Sequence, residues 1–495
     1  AKDCKLFVQV LNDRAVERKE HECIPCPFGG NCSIPTTLTK LAPEDGFQRL
    51  TFDQYGFGKC PVPAACSAKY VDNGGCKEGH NPDASELCAQ CRVGYAKQGG
   101  RGQLCEKCPN AIVTGALMFG AVVLVVVLFA FLVWDNLDGG KAMIPRRVKD
   151  DDDDDWDDED ENENEDEDVV LTPTEMPFHS IVIRAVSSYL QIAGLLLKFH
   201  LSLPPSVRTL ITVENTASSL SEPLLLFDCA TYVRSDGDLF LLKQLASVWF
   251  IPLVAVIVLA LFWFVVGKLC LKSKDEDGKE DVLAMTGLDG FVSSLMILFY
   301  TLFPSVVNRI ALTFSCQVYG YGELQRTLLT ESLSITCNSS AHFAIVTAVG
   351  IPGILFFVVF MPTLIAMTLI RQRRKLKLYP SQKYYESKWT LRFGFMFAGY
   401  REGYEWWEAV VMLRKCCFVI LAIFLRQYGA ASQVVAASLV LVAALSAELQ
   451  NMPYQNKHHD MIETIGLQAC ILQLLTVSVC GLWGCCLSLC MFFMF

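Results

Sequence analysis

The stretch Phe393–Lys415, FGFMFAGYREGYEWWEAVVMLRK, decides how the rest of the chain is interpreted. It begins with aromatic residues, crosses a polar segment and enters an apolar helix through Trp406 and Trp407. Amphipathic rings at such an entrance are typical of a membrane–water interface. Glu408 and Lys415 follow on one helix face, because about two turns separate them. Ionisable groups at membrane depth are costly and face protein or water. The stretch therefore predicts a polytopic membrane protein with a polar interior.

The composition agrees with a membrane protein, because 52% of the 495 residues are hydrophobic. Several runs reach the roughly 20 apolar residues that a bilayer-spanning helix needs. The net charge of −10 comes from one segment, since Asp150–Asp168 holds 16 acidic residues and no basic one. We expect a solvated, disordered linker there. The alternative is a weak site for a divalent cation or a basic partner, although no EF-hand spacing is present.

We expect the chain to be part of a longer protein at both ends. The chain begins at Ala1 without an initiator Met and stops at Phe495 inside an apolar run. The lack of a signal peptide is therefore no evidence against secretion.

Eleven of the 22 cysteines precede Pro109, in a polar segment rich in Gly and Pro. Paired Cys-x-x-Cys units can be zinc knuckles. Gly and Asn turns between them, and an apolar helix directly afterwards, favour a disulfide framework in an oxidising compartment and no metal. In the loop 315–341 we expect Cys316 and Cys337 to pair with each other. The cysteines predicted to form disulfides are Cys23, Cys26, Cys32, Cys60, Cys66, Cys76, Cys88, Cys91, Cys105, Cys108, Cys316 and Cys337.

Apolar runs after this segment predict an all-α polytopic membrane bundle of about eight transmembrane helices. The small disulfide-rich N-terminal ectodomain covers 1–108, and the acidic cytoplasmic linker covers 135–177. The main transmembrane domain covers 178–490. The predicted spans are 111–134, 178–203, 247–271, 288–314, 342–370, 405–424, 434–449 and a last helix that begins near Met461.

The charges of the loops give an orientation. Lys and Arg concentrate in the predicted inner loops 135–177, 272–286, 371–404 and 450–460, and few occur in the outer loops 204–243, 315–341 and 425–433. The positive-inside rule then places the cysteine-rich region outside. Asn338 starts a glycosylation sequon in an outer loop, which agrees. The basic segment 371–392 is either a topogenic signal alone or a site for anionic inner-leaflet lipids. His458 and His459 are adjacent, so they make a poor metal pair.

Two sets of residues are candidates for function. One set contains intramembrane polar or gating residues: Gln191, Arg309, Glu408, Arg414, Lys415 and Glu463. The other contains interface aromatics: Tyr400, Tyr404, Trp406, Trp407 and Tyr454. Gln191 fits a helix–helix hydrogen bond or a pore lining, and Arg309 fits a snorkelling residue or an intramembrane charge. We predict that Glu408 is buried and paired with Lys415 or Arg309, because a lone charge at the bilayer centre costs at least about 2.5 kcal/mol. The alternative is an interfacial Glu408 in contact with water.

Several motifs together resemble a known family. They are FGF at 393–395, Tyr400, WWE at 406–408, Arg414-Lys415, MPY at 452–454 and Glu463, preceded by FDC at 227–229 and FSC at 314–316. In this order they resemble the TRP-like membrane proteins of fungi and protists, including the flavin-carrier-like and polycystin-like group. The cysteine strings 23–32 and 88–95 resemble EGF-like and GCC2/GCC3-type ectodomain repeats. The resemblance implies cation conduction, often linked to calcium, or transport across internal membranes, and no re-entrant filter like that of the six-helix classical TRP channels is recognisable.

The resemblance and the polar interior favour a TRP-like cation channel with an ectodomain that senses a ligand or matrix. The alternatives are a cell-surface receptor or adhesion protein that does not conduct, and a transporter or lipid-handling protein. No G-x-S-x-G, H-E-x-x-H, P-loop or kinase signature is present, so we expect no enzyme, no catalytic residues and no cofactor. The expected partners are the bilayer, an extracellular ligand or matrix and further copies of the chain, with no nucleic acid. The expected location is the plasma membrane or an endomembrane, with the N-terminal domain extracellular or lumenal.

Overall fold

In the computed structural model, short disulfide-bonded strands come first and long helices follow. The residues that the structure describes are 6–9, 21–23, 26–32, 36–37, 41–52, 56–70, 74–82, 86–97, 104–108, 110–142, 178–196, 236–269, 286–319, 325–376, 387–401 and 403–483. The predictions for the acidic segment, for the outer loop up to residue 235, for the middle of the basic segment (377–386) and for 484–490 lie outside these residues.

The chain divides into two compact units, each described by itself. Unit 1 consists of Ala1–Val125, Leu220–Ile251 and Ser305–Phe356, and unit 2 consists of Val126–Ser219, Pro252–Pro304 and Phe357–Phe495. The predicted outer segments 1–108 and 315–341 therefore fall in one unit.

The strands of unit 1 are short and form small sheets. Strand β1 pairs antiparallel with β2 and parallel with β4, and the antiparallel pairs are β3–β5, β6–β7 and β8–β9. Strands β10, β11 and β12 form an antiparallel sheet. The bounds are β1 Leu6–Gln9, β2 His21–Cys23, β3 Gly30–Asn31, β4 Thr36–Thr37, β5 Ala42–Pro43, β6 Phe47–Arg49, β7 Phe57–Lys59, β8 Tyr95–Lys97, β9 Cys105–Lys107, β10 Cys316–Tyr319, β11 Arg326–Leu329 and β12 Ser332–Thr336.

Disulfides hold these sheets, as the sequence predicts. The described bridges are Cys26–Cys32, Cys60–Cys66, Cys76–Cys88, Cys91–Cys105 and Cys316–Cys337. Cys108 is also disulfide-bonded, and the side chain of Cys23 lies outside the described residues. Such small modules bury little apolar surface, so the bridges supply much of their stability. The predicted pairing of Cys316 with Cys337 is confirmed.

The sheet β10–β12 has two apolar faces, because successive side chains of a strand point to opposite sides. Leu328 and Leu333 enter the core of the cysteine-rich region beside Leu50, Val62 and Leu87. On the other face, neighbouring apolar residues pack against helices of unit 1 in a second core cluster, whose members are Phe240, Leu329, Ile335, Cys337 and Ile345. The loop 315–341 is therefore a structural part of the cysteine-rich unit.

The helices follow the apolar runs of the sequence. Three π-helical segments, Ala246–Phe250, Val346–Gly350 and Ile354–Phe360, join neighbouring α-helices into continuous rods. The α-helices are α1 Ala111–Ala142, α2 Phe178–Leu196, α3 Asp236–Leu245, α4 Ile251–Leu269, α5 Gly287–Leu312, α6 Ser340–Ile345, α7 Ile351–Gly353, α8 Met361–Leu376, α9 Ser387–Phe397, α10 Trp407–Phe424, α11 Ala430–Asn451 and α12 Lys457–Trp483.

Proline explains where the π-helical segments occur. Pro252, Pro352 and Pro362 each lie two residues after the end of one segment. A proline inside a helix lacks the N–H donor and its ring clashes with the carbonyl four residues earlier. Widening the preceding turn moves that carbonyl away while the rod continues.

Among the described residues, four helices are long and apolar enough to cross a membrane by length and composition: Phe240–Lys268, Gly287–Leu312, Ser340–Arg371 and Ala431–Asn451. They correspond to the third, fourth, fifth and seventh predicted spans. Helix α10 is not among them, because Glu408, Arg414 and Lys415 interrupt its apolar run. The described chain is thus mostly helical with a disulfide-rich N-terminal region, and four of the eight predicted spans meet this measure.

Two predicted loops contain helices. The outer loop was expected to reach residue 243, but α3 begins at Asp236, because the apolar run Leu239–Leu242 already belongs to the helix. The predicted inner loop 371–404 contains α9. Trp389, Phe393 and Phe397 recur at helical spacing in α9, which gives this helix an apolar face.

Candidate functional site

The candidate site is the polar interior of unit 2, where α2, α5, α10, α11 and α12 contribute charged and aromatic side chains. Helix α10 supplies Glu408, Arg414 and Lys415, all of which are buried. These three side chains pack against neighbouring helices. This is the expected arrangement, because a charge exposed to the hydrocarbon of a bilayer is costly. The predicted burial of Glu408 is confirmed, with 2% of the side chain exposed.

The partner of Glu408 is Arg184 from α2, not Lys415 or Arg309 as predicted. Arg184 Nε lies 3.5 Å from Glu408 Oε2, and both side chains are buried. Lys415 makes no ion pair within 4 Å in the described part of the chain, and Arg309 is half-buried in the part of α5 that belongs to unit 1. Spacing along α10 does not reveal this partner, because Arg184 lies far earlier in the chain and is brought to Glu408 only by the packing of α2.

Arg184 also holds the end of α9. Its Nη1 donates to the carbonyl of Phe395 at 2.6 Å, and its Nη2 donates to that of Ala398 at 2.9 Å. The last carbonyls of a helix lack partners within the helix and carry partial negative charge, so a guanidinium satisfies both needs. Arg184 therefore connects α2, the end of α9 and the start of α10.

A second ion pair lies deeper along α10. Arg414 Nη2 donates to Glu463 Oε1 of α12 at 2.8 Å and to Ser188 Oγ of α2 at 3.1 Å. Arg184, Ser188 and the predicted candidate Gln191 lie on one face of α2, because they are separated by helical spacing. The missed residue Arg184 could have been found from this polar stripe in an otherwise apolar helix.

The loops at the ends of α9 and α11 close the site with two tyrosines. Tyr400 donates its hydroxyl hydrogen to Glu408 Oε2 at 2.9 Å, and its ring lies 4.8 Å from that of Tyr454. Their backbones are also joined, since Arg401 N donates to Pro453 O and Gln455 N donates to Gly399 O, both at 2.7 Å. The motifs AGYREGYEWWE and MPY, distant in sequence, thus meet at one place.

Both tyrosines lie in loops, outside the helices. Burial raises the pKa of the Tyr400 hydroxyl, and the nearby carboxylate of Glu408 raises it further. Burial likewise raises the pKa of Tyr454, with a further contribution from Glu463. Both groups are therefore neutral donors, which suits Tyr400 to bond the Glu408 carboxylate.

The predicted interface aromatics fall into two groups. Trp406 is 38% exposed and Tyr404 is half-buried, as a membrane interface allows. Tyr400, Trp407 and Tyr454 are instead buried in one apolar cluster inside the protein. The physical reason is that each has a polar partner inside the protein, and Trp407 Nε1 donates to Glu448 Oε2 of α11 at 3.2 Å.

Lys415 and Glu448 complete the interior. The ammonium of Lys415 lies 3.8 Å from the centre of the Tyr300 ring of α5, and no hydrogen-bond partner surrounds it. The second carboxylate oxygen of Glu448 also has no hydrogen-bond partner. Sequence reasoning missed Arg184, Tyr300 and Glu448 as site residues, and Glu448 was hidden by its place near the end of an apolar run.

Two other clusters have the residue types of metal sites, but their sulfurs are oxidised. Cys60, Cys66 and Cys88 lie close together, as do Cys316, Cys337 and His342. All five cysteines are in disulfides, and zinc binds the thiolate form of cysteine. His342 forms a structural hydrogen bond, since its Nε2 lies 2.9 Å from the carbonyl oxygen of Thr313.

Comparisons with known proteins give one distant similarity. The chain is 20% identical over 530 aligned residues to Cysteine repeat modular protein A of Toxoplasma gondii, which covers 90% of this chain and 15% of that protein. The chain thus spans about a seventh of its relative's length. No family model matches the chain. No solved structure matches it either. The similarity agrees with a cysteine-rich protein, whereas the TRP-like and EGF-like resemblances gain no support from it.

Proposed function

We propose that this chain belongs to a multi-pass membrane protein whose unit 2 conducts cations in a TRP-like manner, possessing an ectodomain that senses a ligand or matrix. The observation that carries the proposal is the buried network of Arg184–Glu408 and Arg414–Glu463. Burial of a charged side chain costs several kcal/mol. Charged side chains that are nevertheless found inside a membrane helix bundle are typical of ion pathways and proton relays. A protein that only anchors an ectodomain needs a single apolar helix.

The arrangement of the network fits a gate. Arg184 and Arg414 both join α10 to α2, and Arg414 also joins it to α12. Breaking either pair strands two buried charges, so intermediate positions of α10 are unfavourable. A change between two discrete arrangements is what coupling between distant sites requires. The disulfide-bonded unit is the part that would receive an extracellular signal.

Single-channel recording tests the proposal. The purified chain is reconstituted in a planar bilayer between solutions of unequal potassium and calcium concentration. We expect discrete currents whose reversal potential follows the cation gradients, and Glu408→Gln should change the open probability at least about tenfold, because about 1.4 kcal/mol corresponds to that factor. Glu405→Gln is the matched control, since Glu405 lies three residues earlier in the loop and only accepts a backbone N–H from Gly403.

Absence of current from folded wild-type protein would overturn the conduction proposal. Ligand binding by the ectodomain in that case would favour a receptor or adhesion protein, and solute uptake by proteoliposomes would favour a transporter. The proposed partners are the bilayer, an extracellular ligand or matrix, anionic inner-leaflet lipids at 371–392 and further copies of the chain. Membrane localisation is proposed as plasma membrane or endomembrane.

A further inference from the structure

Two buried ionisable side chains of unit 2 lack a counter-ion. Lys415 is 1% exposed and Glu448 is 2% exposed. Within the described residues, the buried ion pairs join Arg184 to Glu408 and Arg414 to Glu463, and neither Lys415 nor Glu448 has an opposite charge within 4 Å. Lys415 Nζ and Glu448 Oε1 also have no hydrogen-bond partner.

The neighbours of Lys415 do not fix its charge. On its own helix lie Glu408 and Arg414, while Arg184 faces it from α2 and Glu463 from α12. The two carboxylates already hold the two arginines, so the surroundings offer no spare negative charge. The remaining contact is the face of Tyr300 from α5, which attracts an ammonium. The ring favours the charged form, whereas burial favours the neutral form.

The neighbours of Glu448 leave it in a similar position. Trp407 Nε1 of α10 bonds one carboxylate oxygen. The other groups near it are Glu463 and Asp460 of α12 and Arg414 of α10. Arg414 is already paired with Glu463 at 2.8 Å. It therefore compensates little of a negative charge on Glu448. A buried carboxylate in such surroundings is stabilised by taking up a proton.

We propose that Lys415 and Glu448 are two separate proton-binding groups of the helix bundle, so that the protein binds and releases protons whether or not it conducts other cations. Release of a proton from the Lys415 ammonium to water leaves a neutral amine. Uptake of a proton from water by the Glu448 carboxylate gives a neutral carboxylic acid. The ligand is thus the proton itself, and no other reactant is needed. The arginine pairs stay charged, because guanidinium groups do not lose a proton in proteins.

The first test compares two substitutions of Lys415 by thermal unfolding of the purified chain in lipid nanodiscs at neutral pH. Lys415→Met keeps the length without a charge, whereas Lys415→Arg keeps a charge that cannot be lost. We expect Lys415→Arg to lower the unfolding temperature by several degrees more than Lys415→Met. The opposite order would show a permanent structural cation and overturn the proposal. Lys268→Met is the matched control, since Lys268 also lies over an aromatic ring, that of Phe264 at 4.3 Å, but is exposed.

The second test is infrared difference spectroscopy of the same samples as the pH is raised from about 5 to about 9. We expect the C=O stretch of a protonated carboxyl to disappear over this range, and Glu448→Gln should abolish this signal while the fold is retained. A spectrum unchanged by Glu448→Gln would overturn the site. Because no current is measured, the outcome is independent of whether the protein is a channel.

Discussion

Arg184 and Glu408 illustrate how one buried pair constrains a whole bundle. Removal of a single partner leaves an uncompensated charge, which costs about 3–5 kcal/mol in proteins. We therefore expect Arg184→Met and Glu408→Leu each to destabilise the chain by this amount, and the double variant to cost less than the sum. Denaturant unfolding of the four proteins in nanodiscs measures the coupling. Strictly additive losses would contradict the pairing.

Tyr400 gives a sharper test of the hydrogen bond to Glu408. Tyr400→Phe removes only the hydroxyl that donates to the buried carboxylate, so we expect a loss of about 1–3 kcal/mol. Tyr404→Phe is the control, because its hydroxyl donates to Asn451 Oδ1 from a half-buried position. Equal stability losses for the two variants, measured by the same unfolding assay, would argue against a special role of the Glu408 contact.

At the scale of residues, the sequence predicted some of the buried charges but missed Arg184 and Glu448, and it did not predict which charges pair. Glu408, Arg414 and Lys415 were identifiable because charges inside one apolar run stand out. Arg184 is separated from Glu408 by most of the transmembrane domain, so nothing local links the two. Glu463 was found only by resemblance, and its partner Arg414 emerges from the packing of α10 on α12.

The loop between α9 and α10 shows how an element is positioned by one glycine. Gly399 has a φ of 90°, and a Cβ there would lie 2.6 Å from Ile181 Cδ1. Gly403 has a φ of 92° with nothing within 4 Å of its Cβ position. Both require the left-handed region that glycine favours, but only Gly399 is also packed against α2.

These two glycines allow a matched comparison. We expect Gly403→Ala to cost about 1–2 kcal/mol, because only the backbone conformation is disfavoured. Gly399→Ala should cost more, by about 1–3 kcal/mol, because overpacking against Ile181 is added. Thermal unfolding in nanodiscs measures both. If the two substitutions had the same effect, the close approach of the loop to α2 would be refuted.

At the scale of elements, boundaries were predictable where the chain changes character sharply. Helix α10 begins within two residues of its predicted start, since aromatic and polar residues mark its entrance. Helix α3 was missed because the chain turns apolar before the predicted span and the helix continues through a π-helical turn. Helix α9 was missed because Lys388 and Arg392 place it within the most basic loop of the chain and its apolar run is short.

At the scale of the whole molecule, the strongest prediction concerns sidedness. The loop 315–341 shares a core with the cysteine-rich region, as Leu328 and Leu333 show. We expect a glycan at exposed Asn338 and none at a sequon engineered near Ser381, measured by glycosidase-dependent shifts on gels. Asn338→Gln should abolish the shift. A glycan near Ser381 would place the basic segment on the same side as the ectodomain and overturn the topology.

The disulfide Cys316–Cys337 gives the ectodomain a mechanical connection to two helices. Cys316 lies shortly after the end of α5, and Cys337 lies shortly before the start of α6, where His342 also contacts the carbonyl of Thr313. The segment between the two cysteines forms the sheet β10–β12, whose Leu328 and Leu333 lie in the cysteine-rich core. Close-packed interiors transmit strain with little compression. A force on the disulfide-bonded region would therefore reach the end of α5 and the start of α6 together.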